Sequence, residues 1–298
     1  MVLPPDFADA RAASATAALR GRTSLRVGGV PEFLFEPATE GEAAHVLREC
    51  RRLRVPVRFL GGGCNLLVSD GAIDGAVIAT RRMQHLKVLD DRVEVGAGNP
   101  FPGVVQLSIA EGIPVLPGCP GIPGSVGGVV FMNAGGRFGC VGDALLEVTG
   151  LDLEGNPFRR LVRDGDMGYR KTVFDAVLVT GAVFRRDRSL DPAAQRRLYD
   201  EAMSWKKATQ PLSAQSAGCI FKNPGGAAGG RSAGLLIDQA GLKGRRVGGA
   251  SVSLVHANFI VNEGTATARD VLDLIDLIRH EVRARHGVDL ELEVRLWP

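Results

Sequence analysis

Thirty-nine of the 298 residues are glycine, and three glycine-rich segments lie against apolar runs. Glycine reaches backbone conformations and close approaches that a Cβ forbids. In this quantity and without a collagen period, it predicts tight turns and main chain passing close to a ligand. The first segment, Gly61-Gly62-Gly63-Cys64-Asn65-Leu66-Leu67-Val68, lies between two expected strands. Its successive N–H groups form either an anion-binding concavity or a plain hairpin turn. The second, Gly96-Ala97-Gly98-Asn99-Pro100, follows a strand and precedes a helix, but Pro100, Pro102 and a missing third glycine spoil a dinucleotide fingerprint and argue against a Rossmann domain. The third runs Gly121-Ile122-Pro123-Gly124-Ser125-Val126-Gly127-Gly128 into Val129 to Met132 and Asn133-Ala134-Gly135-Gly136. That many small residues beside apolar ones fit main chain lying along a large flat cofactor, with tight helix packing as the alternative.

Composition narrows the classes. At 45% hydrophobic and 23% charged, the chain is globular rather than disordered or fibrous. The net charge of +3 comes from scattered basic residues, which supply no concentrated face for nucleic acid. Five cysteines, an odd number with no C-x-x-C spacing, argue against a disulfide framework and a zinc site. Five dispersed histidines add no ligand pattern, so no metal is expected. The N-terminal stretch MVLPPDFADARAASATAALRGR lacks the apolar core of a signal peptide, and no run is apolar enough to span a bilayer. A cytoplasmic chain with free thiols is expected.

Helices and strands alternate along the chain. Apolar residues at Ala43, Val46, Leu47 and Cys50 predict a helix over 39–54, followed by a strand over 55–60. Further strands are expected at 76–80 and in a hairpin, 87–89 with 92–95, turning at Asp90-Asp91; 102–111 reads as a short helix. From Thr267, Val271, Leu274, Ile275, Ile278 and Val282 mark one helix face, which Gly287 terminates. The alternation of Val288, Leu290, Leu292, Val294 and Leu296 with polar residues then predicts a strand to Trp297, with Glu291 and Glu293 on one face.

The stretch SAGCIFKNP, Ser216 to Pro224, carries the most chemistry: Cys219 stands between small residues and a Lys222-Asn223 pair, and a thiol there can donate a proton to a bound molecule. With GGGCNLLVSD, GIPGSVGGVVFMNAGG, YRKTVF, AGLLIDQAGLKG, HANFIVNEGTATARDVL and LELEVR in order, the chain resembles the UDP-N-acetylenolpyruvoylglucosamine reductase (MurB) family from Thr23 to Arg295. It is similar to the shorter subtype, because the Lys206-Lys207 segment passes to SAGCIFKNP without room for a substrate-covering insertion. The resemblance implies an α+β fold with a two-subdomain FAD-binding region of the MurB/vanillyl-alcohol-oxidase type and a C-terminal α/β domain that binds substrate. The expected boundaries are a helical segment over 1–21, an FAD-binding domain over 22–187 split near 80, and a substrate domain over 188–298, with 288–298 returning toward the active site.

The resemblance also implies non-covalent FAD, NADPH as cosubstrate, and reduction of UDP-N-acetylglucosamine enolpyruvate by a protein that is a monomer and needs neither nucleic acid nor membrane. Arg170 matches the family's catalytic arginine, whose planar fork suits a carboxylate. Glu293 matches a second stabilising group, which must be protonated or bridged beside a developing anion; Glu291 is the weaker candidate. Cys219 stands where the family usually has a proton-donating serine, and a thiol, with an ordinary pKa of about 8.5, is the stronger acid. The cofactor is expected at Gly61, Gly62, Gly63, Cys64, Asn65, Leu66, Pro123, Gly124, Ser125, Gly127, Gly128, Asn133, Ala134 and Gly135. Substrate is expected at Tyr169, Lys207, Asn223 and Gln239. Cys64 and Gly136-Arg137-Phe138 depart from the family pattern. A flavin oxidase of the same cofactor-binding superfamily and a non-catalytic UDP-sugar-binding flavoprotein are the alternatives.

Overall fold

A computed structural model of the chain describes residues 18–298, so most of the expected N-terminal helical segment lies outside the described residues. The chain forms two compact units that are not contiguous in sequence. Among the described residues, one holds 33–62 and 74–206 and the other holds 18–32, 63–73 and 207–298.

In the first unit, α1 (Glu40–Leu53) begins where the Thr39 hydroxyl accepts from the Glu42 amide. Glu40 and Glu42 at its N-terminus and Arg51 and Arg52 in its last turn complement the helix dipole. Its buried face, Ala43, Val46, Leu47 and Cys50, packs with Phe33, Phe35, Ala76 and Ile78 in one apolar core. A small sheet orders its strands 30–35, 72–79 and 57–60, the last two parallel. A five-stranded antiparallel sheet orders them 157–161, 145–151, 178–185, 92–96 and 86–88. The hairpin at Asp90-Asp91 forms, closed by Leu89 N–H donating to the Arg92 carbonyl at 2.9 Å. Against the sheet, α2 (Phe101–Glu111) and α3 (Val126–Phe131) share a second core built on Val93, Val95, Phe101, Val126, Val130 and Phe184. The long helix α4 (Pro192–Thr209) follows.

The second unit sets α5 (Ala233–Gln239) and α6 (Ala268–His286) against an antiparallel sheet ordered 216–219, 259–262, 250–252 and 246–247. The expected C-terminal helix is α6: Thr267 and Asp270 form a reciprocal capping box, and Gly287 closes it at φ 67°. Its apolar face joins Leu25, Val27, Leu67, Phe221 and Ile260 in one core.

The predicted strand from Val288 to Trp297 is corrected in part. Val288, Leu290 and Val294 are buried as expected, but only Arg295–Trp297 forms a ladder, parallel to 66–68, and Leu296 is exposed. The cause lies at Ile220, whose carbonyl accepts from both Glu293 N–H (2.8 Å) and Val294 N–H (3.3 Å), so two residues oppose one and the pleat is broken. Glu291 and Glu293 consequently occupy different environments: Glu291 pairs with Lys222 at 3.4 Å in solvent, whereas Glu293 is half-buried. No helix among the described residues is long and apolar enough to cross a membrane.

Candidate active site

Gly61 and Gly62, at the start of the first glycine-rich segment, meet the second and third segments in the first unit. Phe101 N–H donates to Gly124 O (2.9 Å), Val126 N–H to Asn99 O (3.0 Å) and Gly127 N–H to Ala97 O (2.9 Å), pairing the second segment with the third. The first closes on them: a Cβ on Gly61 would fall 2.7 Å from Ser125 Oγ, and one on Gly62 would fall 2.5 Å from Gly124 Cα. Any side chain there would push the two loops apart. Ser125 Oγ is itself buried with no hydrogen-bond partner among the described residues. A buried hydroxyl without a partner is costly in a finished core, and this one sits in a glycine cradle suited to an incoming acceptor such as a phosphate oxygen. The residues therefore fit the diphosphate-bearing cofactor implied by the sequence. Pro123 is exposed beside them, and Gly128 is half-buried on α3.

Arg170 is placed by strain. It lies at φ 54° in the two-residue turn, Tyr169-Arg170, between the paired strands 167–168 and 171–172. A left-handed non-glycine residue costs about 1–2 kcal/mol. Offsetting that cost, its guanidinium donates to Gly135 O (3.0 Å) and reaches Asn133 O (3.5 Å). Asn133, also left-handed at φ 41°, donates from its amide to Gly168 O (2.9 Å) and accepts from Gly142 N–H (2.9 Å). Arg170, Asn133 and Gly135 thus form one connected group, which Ala134 spans by sequence. Tyr169 is exposed with the Arg170 guanidinium over its ring at 5.1 Å. Deeper in the same unit, burial pushes the Cys119 thiol up to about 12, well above any working pH.

The second unit gathers the remaining chemistry. Gly63, at φ 64°, approaches the Arg22 carbonyl too closely for any side chain. Cys64 shares a hydrogen bond with Ser24, and burial pushes its thiol up. Asn65 donates from its side-chain amide to the Glu293 carbonyl (3.1 Å) and accepts Arg295 N–H at its own carbonyl (3.0 Å); Leu66 is paired with Arg295. Asn65 therefore holds the backbone that carries Glu293, a contact its place in a glycine loop did not disclose.

Cys219 ends the strand 216–219 just after Gly218, whose φ of 77° accompanies a register shift against the strand 259–262. Such a bulge re-aims the side chain that follows it. Asn223 is exposed and caps α5, accepting from Ala233 N–H at 3.0 Å. Gln239 is exposed at the end of α5, and Lys207 is exposed on α4. Its neighbour Lys206, by contrast, is buried in the first unit, where its charge bears on Cys119. The K-K pair gave no sign of which lysine turns inward.

The UDP-N-acetylenolpyruvoylglucosamine reductase C-terminal domain model matches residues 210–297, and an FAD binding domain model matches 31–159. The UDP-N-acetylenolpyruvoylglucosamine reductase of Moorella thermoacetica is 38% identical over 280 residues, covering 94% of this chain and 91% of the relative. The chain belongs to the UDP-N-acetylenolpyruvoylglucosamine reductase family. UDP-N-acetylenolpyruvoylglucosamine reductase 2 of Symbiobacterium thermophilum is 39% identical over 281 residues, with 94% of this chain and 90% of that protein covered. The crystal structure of UDP-N-acetylenolpyruvylglucosamine reductase (MurB) from Thermus caldophilus matches with a TM-score of 0.79 at 38% identity, covering 94% of this chain and 97% of that one. The UDP-N-acetylenolpyruvoylglucosamine reductase family thus accounts for both units, with the FAD-binding fold of that family rather than a Rossmann domain.

Proposed function

We propose that this chain reduces UDP-N-acetylglucosamine enolpyruvate to UDP-N-acetylmuramate for peptidoglycan precursor synthesis, as a cytoplasmic monomer with non-covalent FAD and NADPH as cosubstrate. The observation that carries the reading, beside family membership, is that Cys219 and Glu293 are fastened to one residue: Cys219 precedes Ile220, and Ile220 O accepts Glu293 N–H at 2.8 Å. A proton donor and an anion-stabilising carboxyl are what addition of hydride and then a proton to an enolpyruvyl ether requires.

What FAD supplies when bound is hydride transfer between NADPH and the alkene. The residues that would hold it are Gly61, Gly62, Gly124, Ser125 and Gly128 of the glycine cradle. In this reading the Arg170 guanidinium stabilises the charge that grows on the substrate carboxylate. Its existing bonds to Gly135 and Asn133 carbonyls fix the fork before substrate arrives. Cys219 delivers the proton, and Glu293 stabilises the developing anion. Asn223 takes the nucleotide-sugar in this reading, while Tyr169, Lys207 and Gln239 contribute from exposed positions.

Anaerobic titration of the purified flavoprotein tests this directly. NADPH should bleach the bound flavin, and UDP-N-acetylglucosamine enolpyruvate should restore its colour with formation of UDP-N-acetylmuramate. Bleaching without recovery on adding that substrate would contradict the proposal.

A further inference from the structure

We infer that Asn258 is a positioning residue for the protonation step, holding Cys219 and Glu293 in register through the peptide backbone between them. It rests on the proposed roles of those two residues. Asn258 is buried at 3% exposure. Its side-chain oxygen accepts Phe221 N–H at 2.9 Å, and its side-chain nitrogen donates to Phe221 O at 2.8 Å. Its own carbonyl accepts Ile220 N–H at 2.9 Å. Three bonds from one residue therefore fix the main chain of Ile220 and Phe221, directly after Cys219.

The reason for such a fixture lies in the ladder. The bulge at Gly218 shifts register between Ser216 and Cys219, and strand pairing with 259–262 ends at Cys219. Beyond that point a side-chain amide, with one donor and one acceptor, takes the place of the missing partner strand. The far edge of the same short segment receives the C-terminal tail: Ile220 O accepts Glu293 N–H, Lys222 N–H donates to Glu291 O at 2.9 Å, and Phe221 bridges to Leu292. Ile220 to Lys222 is thus clamped between Asn258 on one side and residues 291–294 on the other. Cys219 and Glu293 derive their separation from it. Neither Asn258 side-chain atom has to touch the substrate.

Asn258→Asp preserves volume and the acceptor for Phe221 N–H but turns the donor to Phe221 O into a repulsive oxygen. Asn258→Ser is the second variant, shorter and uncharged, in case a buried carboxylate prevents folding. With the flavin-loaded enzyme under anaerobic conditions, flavin reduction by NADPH should stay within about twofold of the parent. Reoxidation by UDP-N-acetylglucosamine enolpyruvate should slow about tenfold to a hundredfold, the scale of a misplacement of roughly 1 Å. In a Cys219→Ala background the same Asn258 substitution should cost clearly less than in the parent, because one of the two groups it positions is gone. Equal slowing of both half-reactions, full additivity with Cys219→Ala, or loss of folding and flavin in both variants would each overturn the inference. If Cys219→Ala alone leaves reoxidation intact, the donor assignment has failed, and that result is read independently of Asn258.

Discussion

The Arg170 turn rests on side-chain tethers, and the Cys219–Glu293 frame rests on main-chain ones. Arg170 is tethered by its own side chain, at a left-handed φ and with its guanidinium already bonded to Gly135 and Asn133 carbonyls. Cys219 and Glu293 are held by their backbones, through Gly218, Ile220, Asn65 and Asn258, with glycine taking the positive φ. A permanent charge is best used where it is stored, since a fork set in advance needs no reorganisation when charge develops. The placement of Cys219 and Glu293 follows the main chain that these bonds fix.

If that contrast is right, the largest effect belongs to the backbone-held carboxyl. Glu293→Gln should lower turnover with substrate by about a hundredfold or more, whereas Glu291→Gln, which removes only a solvent-exposed pair with Lys222, should leave most of it. Steady-state kinetics on both variants decides the point, and the opposite ranking breaks the comparison at its second region. Arg170→Lys comes next. Lysine keeps the charge but loses the planar fork, so flavin reoxidation by substrate should slow by about tenfold to a hundredfold while flavin reduction by NADPH changes far less. Stopped-flow traces showing equal losses in the two half-reactions would remove the reason for the strained turn.

The smallest effect is one of stability. Burial, and after it the nearby Lys243 charge, holds the His256 imidazole below its ordinary 6.5, and its Nδ1 accepts Asn258 N–H at 3.2 Å. The unfolded chain therefore takes up the proton first as pH falls below 6.5, and stability drops from there toward the lower folded value. His256→Gln should flatten the fall in melting temperature between pH 7 and pH 5. An unchanged slope would show that other groups govern the acid sensitivity.

Local chemistry explains what could be read from the sequence. Thr39 before α1, Thr267 and Gly287 around α6, and the Asp90-Asp91 hairpin are decided by caps, period and turn residues within a few positions of themselves. Cys219, Arg170 and Glu293 were visible as motif residues, and the structure assigns each a specific anchor. The anchors themselves were not visible. Asn65 reaches Glu293 across 228 residues and Asn258 reaches Phe221 across 37, and no periodicity encodes such pairings. The same limit explains the C-terminal tail, where polar–apolar alternation predicted an unbroken strand but a shared carbonyl at Ile220 interrupts it. It also explains the lysine pair, where helix α4 buries Lys206 and exposes Lys207.

The account turns on whether Cys219 supplies the proton, and anaerobic single-turnover reoxidation of reduced flavin by UDP-N-acetylglucosamine enolpyruvate measures that step. Cys219→Ser should retain substantial rate, and Cys219→Ala should lose about a hundredfold or more, the usual scale of general acid catalysis, with reduction by NADPH surviving both changes. If alanine reoxidises as fast as cysteine, with flavin content and melting temperature unchanged, Cys219 is packing and the proton comes from elsewhere.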